Sequence, residues 1–234
     1  MASGIAENIA RVQERLASAC ERAGRHPEDV RLVAVTKTVP PERIREAYTS
    51  GLRDFGENRV QEAASKRGAL ADLAITWHLI GHLQSNKAKS ARELFQWVHS
   101  VDSFRVAERL HRASAGADGS GLLEVLIEAN LGGEATKSGI AESAALELAG
   151  QIGQLDTLRL CGWMLVPPYF DEPEASRPYF FRLRQLAKMI NSAGLPGVST
   201  GELSMGMSHD FEVAIEEGAT IVRVGTAIFG TRPG

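Results

Sequence analysis

The sequence predicts an α/β protein, namely a single (β/α)8 barrel with an additional helix at its N-terminus. Short apolar runs alternate with longer segments of helical period up to the end of the chain, which is typical of parallel strands joined by helical crossovers. Eight such units fit within 234 residues, close to the roughly 250 residues of a usual barrel. An open doubly wound sheet is the alternative, but no G-x-G-x-x-G motif follows the first strand.

The individual elements can be placed in order along the chain. Residues 1–25 contain an amphipathic helix, which is expected to pack on the barrel through one apolar stripe, formed by Ile5, Ile9, Val12 and Leu16. Strands are predicted near residues 30–37, 54–58, 76–83, 97–102, 122–130, 158–166, 201–207 and 220–230. The segment 40–51 begins with two prolines and ends with a glycine, as a crossover helix often does.

No linker, repeat or low-complexity stretch divides the chain, so residues 1–234 are predicted to form one domain with a mobile loop at 114–121. The net charge of -3 gives no basic surface for nucleic acid. Cys20 and Cys161 lack metal-ligand spacing, so we expect no metal and no disulfide. The N-terminus does not resemble a signal peptide and no apolar run could span a membrane, so a cytoplasmic protein is expected.

Lys37 ends the first predicted strand, where a charged side chain follows the apolar run VAVT. A buried ammonium either finds a partner or gives up its proton. Strand alternation puts Lys37 on the inner face of the barrel, and Leu32 and Ala34 on the outer face. The same alternation predicts further inward residues on three strands: Val33 and Val35 on the first, Glu124, Leu126, Glu128 and Asn130 on the fifth, and Ile221, Arg223 and Gly225 on the eighth. A buried ion-pair network is the alternative interpretation of these charges.

A second signal lies at the end of the eighth strand. Gly225 and Thr226, followed by Gly230, offer main-chain N–H groups and a hydroxyl where barrels commonly bind phosphate. The neighbouring segment 204–208, SMGMS, adds two hydroxyls after the seventh strand. Together with the lysine, these residues predict a site for a phosphorylated carbonyl compound, because lysine amines form Schiff bases with carbonyls.

Several segments together resemble one protein family: VAVTK, FGEN followed by RVQE, WHLIGHLQSNK, the KSG of EATKSG, LSMGMSHDFEVAI and VRVGTAIFG. They are similar to the pyridoxal phosphate homeostasis proteins, and the resemblance extends from the first strand to the last. It implies a fold-type III barrel related to the N-terminal domain of alanine racemases. It also implies binding of pyridoxal 5'-phosphate (PLP) without a well-defined catalytic turnover.

The resemblance implies roles for individual residues. Lys37 stands where the family's lysine forms a Schiff base with the cofactor, and Arg223 where an arginine faces the pyridine nitrogen. The remaining implied contacts are the phosphate cradle of Ser204, Gly225 and Thr226, Met205 beside the ring, and Asn58 as a polar neighbour. Lys137 is either a solvated loop lysine or a contact for phosphate or a second cofactor molecule. His78 either reaches the cleft or is a satisfied core residue.

The function predicted from these residues is intracellular PLP homeostasis by storage, buffering or delivery, with no catalytic residue assigned. PLP-dependent apoenzymes are the possible partners, and a monomer is expected, with a weak dimer as the alternative. Fold-type III racemases have a second domain that supplies a catalytic tyrosine, whereas this sequence ends soon after the eighth strand. A single-domain racemase or another PLP-dependent enzyme is the second hypothesis. A Schiff-base aldolase for a phosphosugar is the third.

Overall fold

The computed structural model describes residues 4–114, 121–133 and 138–230. Eight parallel strands close into a barrel in chain order, as predicted. They are β1 (Arg31–Val35), β2 (Asp54–Glu57), β3 (Thr76–Leu79), β4 (Trp97–Val101), β5 (Leu123–Ala129), β6 (Leu158–Leu165), β7 (Val198–Met207) and β8 (Ile221–Val224). The barrel closes between β8 and β1, where Val33 pairs with Arg223. The first and last predicted strands are therefore neighbours.

Helices surround the barrel. They are α1 (Ile5–Arg22), α2 (Pro41–Thr49), α3 (Val60–Arg67), α4 (Ala88–Leu94), α5 (Phe104–Ser114), α6 (Ala145–Ile152), α7 (Arg177–Ser192), α8 (Phe211–Glu216) and the short α9 (Thr226–Phe229). The predicted apolar stripe of α1 is buried. In addition, Asn8 Nδ2 donates to the Ile228 carbonyl at 2.8 Å, and Arg15 pairs with Glu212 at 2.7 Å. The additional helix therefore packs against α8 and α9.

All strands except β7 are shorter than predicted, and the third and the eighth differ most. The third ends at Leu79 rather than at residue 83, and the last ends at Val224 rather than at residue 230. After β3 the chain passes close to Asn58 at Gly81, where a Cβ would lie 2.3 Å from the Asn58 carbonyl oxygen, so a glycine is required there. After β8 the chain turns at Gly225 into α9. The predicted phosphate-binding segment therefore continues into a helix rather than into a longer strand.

The apolar core has an outer layer between strands and helices and a small centre inside the barrel. The centre is formed by Val33, Trp97, Leu126, Met164 and Ile221, whereas the outer layer contains Ala34, Val125, Ile127, Val222 and Val224. The predicted alternation on the first, fifth and eighth strands is thus confirmed. Within the described ranges, no helix is long and apolar enough to cross a membrane.

Candidate cofactor site

A pocket opens at the carboxyl ends of β1 and β8. Its volume is about 230 Å³, and it is lined by Val35, Lys37, Thr38, Val39, Pro40, Arg43, Gly225, Thr226, Phe229 and Gly230. Parallel strands place their carboxyl ends at the same mouth of a barrel, and β1 and β8 are adjacent. The pocket therefore brings the predicted lysine together with the predicted phosphate-binding segment.

Main-chain N–H groups converge on one hydroxyl beside this pocket. Ser208 Oγ accepts the N–H of Gly225 at 3.1 Å and that of Ala227 at 3.4 Å. A Cβ at position 225 would lie 3.3 Å from both the Cβ and the carbonyl oxygen of Val35, which is a tight approach. Convergent N–H groups with a hydroxyl form the kind of concavity that binds phosphate.

The turn after β7 holds Ser208 in this position. Gly206 has a φ of +90°, and a Cβ there would lie 2.6 Å from the Cβ of Ala214. Asp210 Oδ1 accepts the main-chain N–H of Met207 at 2.7 Å, which closes the turn. A residue other than glycine at position 206 would be strained in its backbone and would also collide with α8.

Ser204, which was expected in the phosphate cradle, and Met205, which was expected beside the ring, do not line this pocket. Ser204 is completely buried, and its hydroxyl bonds to His99 and Arg223 inside the barrel. Met205 is also completely buried, but its side chain belongs to the outer apolar layer. Successive residues of a strand point to opposite faces, so only the main chain of Met205 could contact a ligand in the mouth. Ser208, rather than Ser204, has its hydroxyl against the main chain of Gly225.

A buried network fixes the main chain on both sides of Lys37. Lys66 Nζ donates to the Thr36 carbonyl and to Glu57 Oε1, each at 2.8 Å, and to Glu62 Oε1 at 2.7 Å. Thr36 Oγ1 also donates to Glu57 Oε1 at 2.7 Å. On the far side of Lys37, the Thr38 N–H donates to Glu62.

This network has an unusual backbone and electrostatic setting. Thr38 has a φ of +63°, a region that a β-branched residue enters only when its surroundings determine it. Burial raises the pKa of Glu57, and its hydrogen bonds from Lys66 and Thr36 oppose that shift. Sequence reasoning missed the network, although Glu57 at the end of a strand and the i, i+4 pair of Glu62 and Lys66 were available signals.

Arg223 lies inside the barrel, as strand alternation predicts, and is only 4% exposed. Its Nη1 donates to the carbonyl and to the hydroxyl of Ser204, both at 2.6 Å, and its Nη2 donates to the Leu165 carbonyl at 2.9 Å. Burial lowers the pKa of Arg223 to about 10, against the opposing effect of Asp210 and Glu128. The guanidinium therefore stays charged at neutral pH.

Two histidines continue from Arg223 across the barrel. His99 Nδ1 lies 2.8 Å from Ser204 Oγ, and His99 Nε2 lies 2.9 Å from His78 Nδ1. His78 Nε2 lies 2.9 Å from Asp54 Oδ1. His78 is thus a bonded interior residue, one of the two interpretations left open above. The sequence did not lead us to predict a role for His99, although it shares the inner face of β4 with Trp97.

The opposite side of the mouth is acidic. Glu128, on the inner face of β5, is 9% exposed, and its Oε2 has no hydrogen-bond partner among the described residues. Burial and the neighbouring Asp102 raise the pKa of Glu128 to about 7. Asn58 lines an adjacent pocket with His82 and Lys87 rather than the Lys37 pocket. Lys137 lies outside the described residues.

Nearly the whole chain matches known proteins. Residues 5–233 match the family described as alanine racemase, N-terminal domain. The chain is 46% identical to the pyridoxal phosphate homeostasis protein of Aquifex aeolicus, with 97% of each chain covered. It is 49% identical to the protein of the same name from Pseudomonas aeruginosa, with 98% of this chain and 96% of that protein covered.

Solved structures agree with this comparison. PipY of Synechococcus elongatus with PLP bound has a TM-score of 0.81 at 40% identity, covering 94% of this chain and 100% of that chain. Alanine racemase of Corynebacterium glutamicum has a TM-score of 0.69 at 17% identity. This chain covers 61% of the racemase, so the likeness concerns the fold of the barrel part alone.

Proposed function

Because the chain belongs to the pyridoxal phosphate homeostasis protein family, whose barrel is that of the alanine racemase N-terminal domain, we propose that it binds PLP at the mouth of its barrel. The observation that carries the proposal is the single pocket shared by Lys37, Gly225 and Thr226. The protein would hold the cofactor for storage, buffering or delivery within the cell.

The residues of the mouth fit two groups of PLP, its aldehyde and its phosphate. Lys37 Nζ would condense with the cofactor aldehyde to form a C=N bond, with the aldehyde oxygen released as water, since a lysine amine is the usual protein nucleophile toward carbonyls. Gly225, Thr226 and Ser208 would hold the phosphate with main-chain N–H groups and hydroxyls. We retain Asn58 as a proposed polar neighbour at the rim, and Met205 as a contact through its main chain only.

Arg223 gives the site its electronic character. PLP, when bound, supplies an aldehyde and an electron-withdrawing ring. A charged guanidinium facing the ring nitrogen would disfavour protonation of that nitrogen, because two like charges would then meet in a buried place. The ring would therefore withdraw electrons weakly, which supports a carrier rather than a catalyst.

We further propose that the whole chain, including α1, acts as one domain and that PLP-dependent apoenzymes receive the cofactor. A monomer, with a weak dimer as the alternative, and a cytoplasmic location complete the proposal. Delivery can be measured as the activity that an added PLP-free enzyme gains from the loaded protein. A protein that never passes PLP to such an enzyme would be a store only.

The decisive experiment is the visible spectrum of the PLP-treated protein before and after borohydride reduction, followed by mass analysis of its peptides. We expect a yellow absorption band, and a reduced label on the peptide that contains Lys37. Lys37→Ala should lose band and label while remaining folded, and Lys188→Ala, an exposed lysine on α7, should keep both. A label at another lysine in the unmodified protein would overturn the assignment of Lys37.

A PLP-dependent racemase is the second candidate, and one observation favours it. Glu128, with a pKa of about 7, could exchange protons near neutral pH. The test is deuterium incorporation from solvent at the α-carbon of alanine, for which we expect a negligible rate. Turnover on the order of 1 to 10³ per second would replace the carrier by an enzyme. The aldolase hypothesis predicts, in contrast, a colourless protein whose lysine is trapped only with a sugar phosphate.

A further inference from the structure

We propose that a buried hydrogen-bond chain of Asp54, His78, His99 and Ser204 positions Arg223, and that both histidines are neutral with their proton on Nε2. We call these four residues the interior chain. The part of the inference that concerns a ligand rests on the proposed function, because Arg223 acts there on the PLP ring. The protonation of the histidines does not depend on it.

The interior chain runs from the amino end of the barrel to its centre. Asp54 begins β2, at the mouth opposite Lys37, and its side chain is 24% exposed beside Arg31 at 3.8 Å. His78 and His99 are fully buried on β3 and β4. The three distances between side-chain atoms along the chain are 2.9, 2.9 and 2.8 Å, all within ordinary hydrogen-bond range.

Aromatic packing holds the two imidazole rings in place. The rings of His78 and Trp97 are stacked with centroids 5.7 Å apart, and those of His78 and His99 meet edge to face at 5.1 Å. His99 also meets Trp97 edge to face at 6.0 Å. A flip of either ring would put carbon atoms at both of its polar contacts, so hydrogen bonding decides which ring atoms are the nitrogens there.

The protons can then be assigned from one end. The Asp54 carboxylate only accepts, so His78 Nε2 carries a proton and donates it. If His78 is neutral, its Nδ1 accepts, and the donor must be His99 Nε2–H. By the same reasoning His99 Nδ1 accepts, and the Ser204 hydroxyl donates its proton to it. Each hydrogen bond in the interior chain thus points toward Asp54.

Neutrality of both rings has an independent basis. Burial lowers the pKa of His78, and its hydrogen bond to Asp54 opposes that effect. Burial lowers the pKa of His99 well below its ordinary value, and the positive charge of Arg223 adds to the shift. An imidazolium at His99 would have no acceptor nitrogen, so the Ser204 hydroxyl would lose the atom to which it donates.

The proton positions in the interior chain determine how Arg223 is held. Because the Ser204 proton is committed to His99, the Ser204 hydroxyl oxygen presents lone pairs to Arg223 Nη1, which lies 2.6 Å away. The Ser204 carbonyl accepts from the same nitrogen. A guanidinium has no acceptor of its own, so it can hold this position only while the hydroxyl points away from it. Asp54, His78, His99 and Ser204 are positioning residues for Arg223.

The direct test is ¹⁵N NMR of the histidine side chains in the ligand-free protein near pH 7. We expect two imidazoles with a protonated Nε2 and an unprotonated Nδ1, assigned by their loss in His78 and His99 variants. A protonated Nδ1 on either ring, or an imidazolium, would overturn the inference. This measurement needs neither PLP nor a mutant that folds well, because assignment can also proceed through sequential backbone resonances.

The positioning role is tested by replacing each ring nitrogen separately. The amide oxygen of His99→Asn reaches the place of Nδ1 and keeps an acceptor for Ser204, whereas the amide nitrogen of His99→Gln reaches the place of Nε2 and keeps only the donor to His78. Both variants should lower thermal stability. The Gln variant should weaken PLP binding about tenfold or more, and beyond the loss in the Asn variant, since hydrogen bonds to charged groups contribute about 1.5 to 3 kcal/mol.

The Gln variant should also shift the absorption band of bound PLP, because the charge facing the ring nitrogen moves. His111→Asn is the matched control, since His111 likewise bonds a hydroxyl, that of Thr157 at 3.0 Å, but outside the barrel interior. Equal affinities and identical spectra for the two His99 variants would overturn the positioning role. If the unmodified protein fails to bind PLP, the proposed function fails, while the NMR result still decides the interior chain.

Discussion

Ser208 Oγ lies 3.1 Å from the main-chain nitrogen of Gly225 and accepts its N–H. This contact joins the turn after β7 to the turn after β8, the two loops where barrels commonly bind phosphate. It also shows that Ser208 is the serine of the SMGMS segment that contacts a residue of the pocket lining. Ser208 is therefore the residue with which to test the phosphate position.

Ser208→Ala should weaken PLP binding by roughly threefold to tenfold, because one hydrogen bond contributes about 1 kcal/mol. Pyridoxal, which lacks the phosphate, should bind equally well to variant and parent. Both affinities can be measured by titration followed in the visible spectrum. Ser192→Ala, which removes an exposed hydroxyl at the end of α7, is the control. An equal loss for both ligands would place the phosphate elsewhere.

Thr226→Glu tests the same position through charge. A carboxylate at the start of α9 would repel the phosphate dianion where the N–H groups converge, so PLP binding should fall far more than pyridoxal binding. Because an acidic residue is tolerated at a helix N-terminus, we expect no loss of thermal stability. Thr49→Glu, at an exposed site on α2, should leave both affinities unchanged. A selective loss in that control would point to a long-range charge effect instead.

Lys66→Met tests the network below Lys37. The substitution leaves the Glu57 carboxylate, which is completely buried, without its cation, and breaking such a pair costs about 3 to 5 kcal/mol of the free energy of unfolding. That free energy can be obtained from urea unfolding. Adding Glu57→Gln should restore part of the loss, because no buried charge then remains. Lys89→Met, an exposed site on α4, should change stability little, and a similar loss there would refute the network's role.

Glu128 provides a prediction about pH. Burial and Asp102 raise its pKa from the ordinary 4.5 to about 7, while Arg223 and His82 act in the opposite direction. Between these two values the folded state holds a proton that the unfolded state releases. The free energy of unfolding should therefore fall as the pH rises from 4.5 to 7, by on the order of 3 kcal/mol from this group.

Glu128→Gln removes this titration. The variant should gain stability relative to the parent as the pH rises, with the full difference reached above pH 7 and little change below pH 4.5. Urea unfolding at a series of pH values measures the difference, and Glu93→Gln, on the exposed face of α4, serves as control. A difference that stays constant across this range would show that Glu128 titrates normally in the folded protein.

The sequence by itself determined the barrel, the faces of its strands and the meeting of Lys37 with Gly225 and Thr226. These features depend on local regularities. Alternation with a period of two decides which face of a strand is buried, and closure of a barrel in chain order makes the first strand the neighbour of the last. Arg223 could therefore be placed inside the barrel from the residues around it.

Only the tertiary structure decided how the side chains inside the barrel pair with one another. His99 meets Ser204 across the barrel from a strand that is not its neighbour, and such a contact depends on barrel width, strand stagger and ring orientation. The contact of Ser208 with Gly225 depends on the turn at Gly206. The Lys66 network depends on where α3 packs. These contacts join distant segments, and no local period in the sequence encodes them.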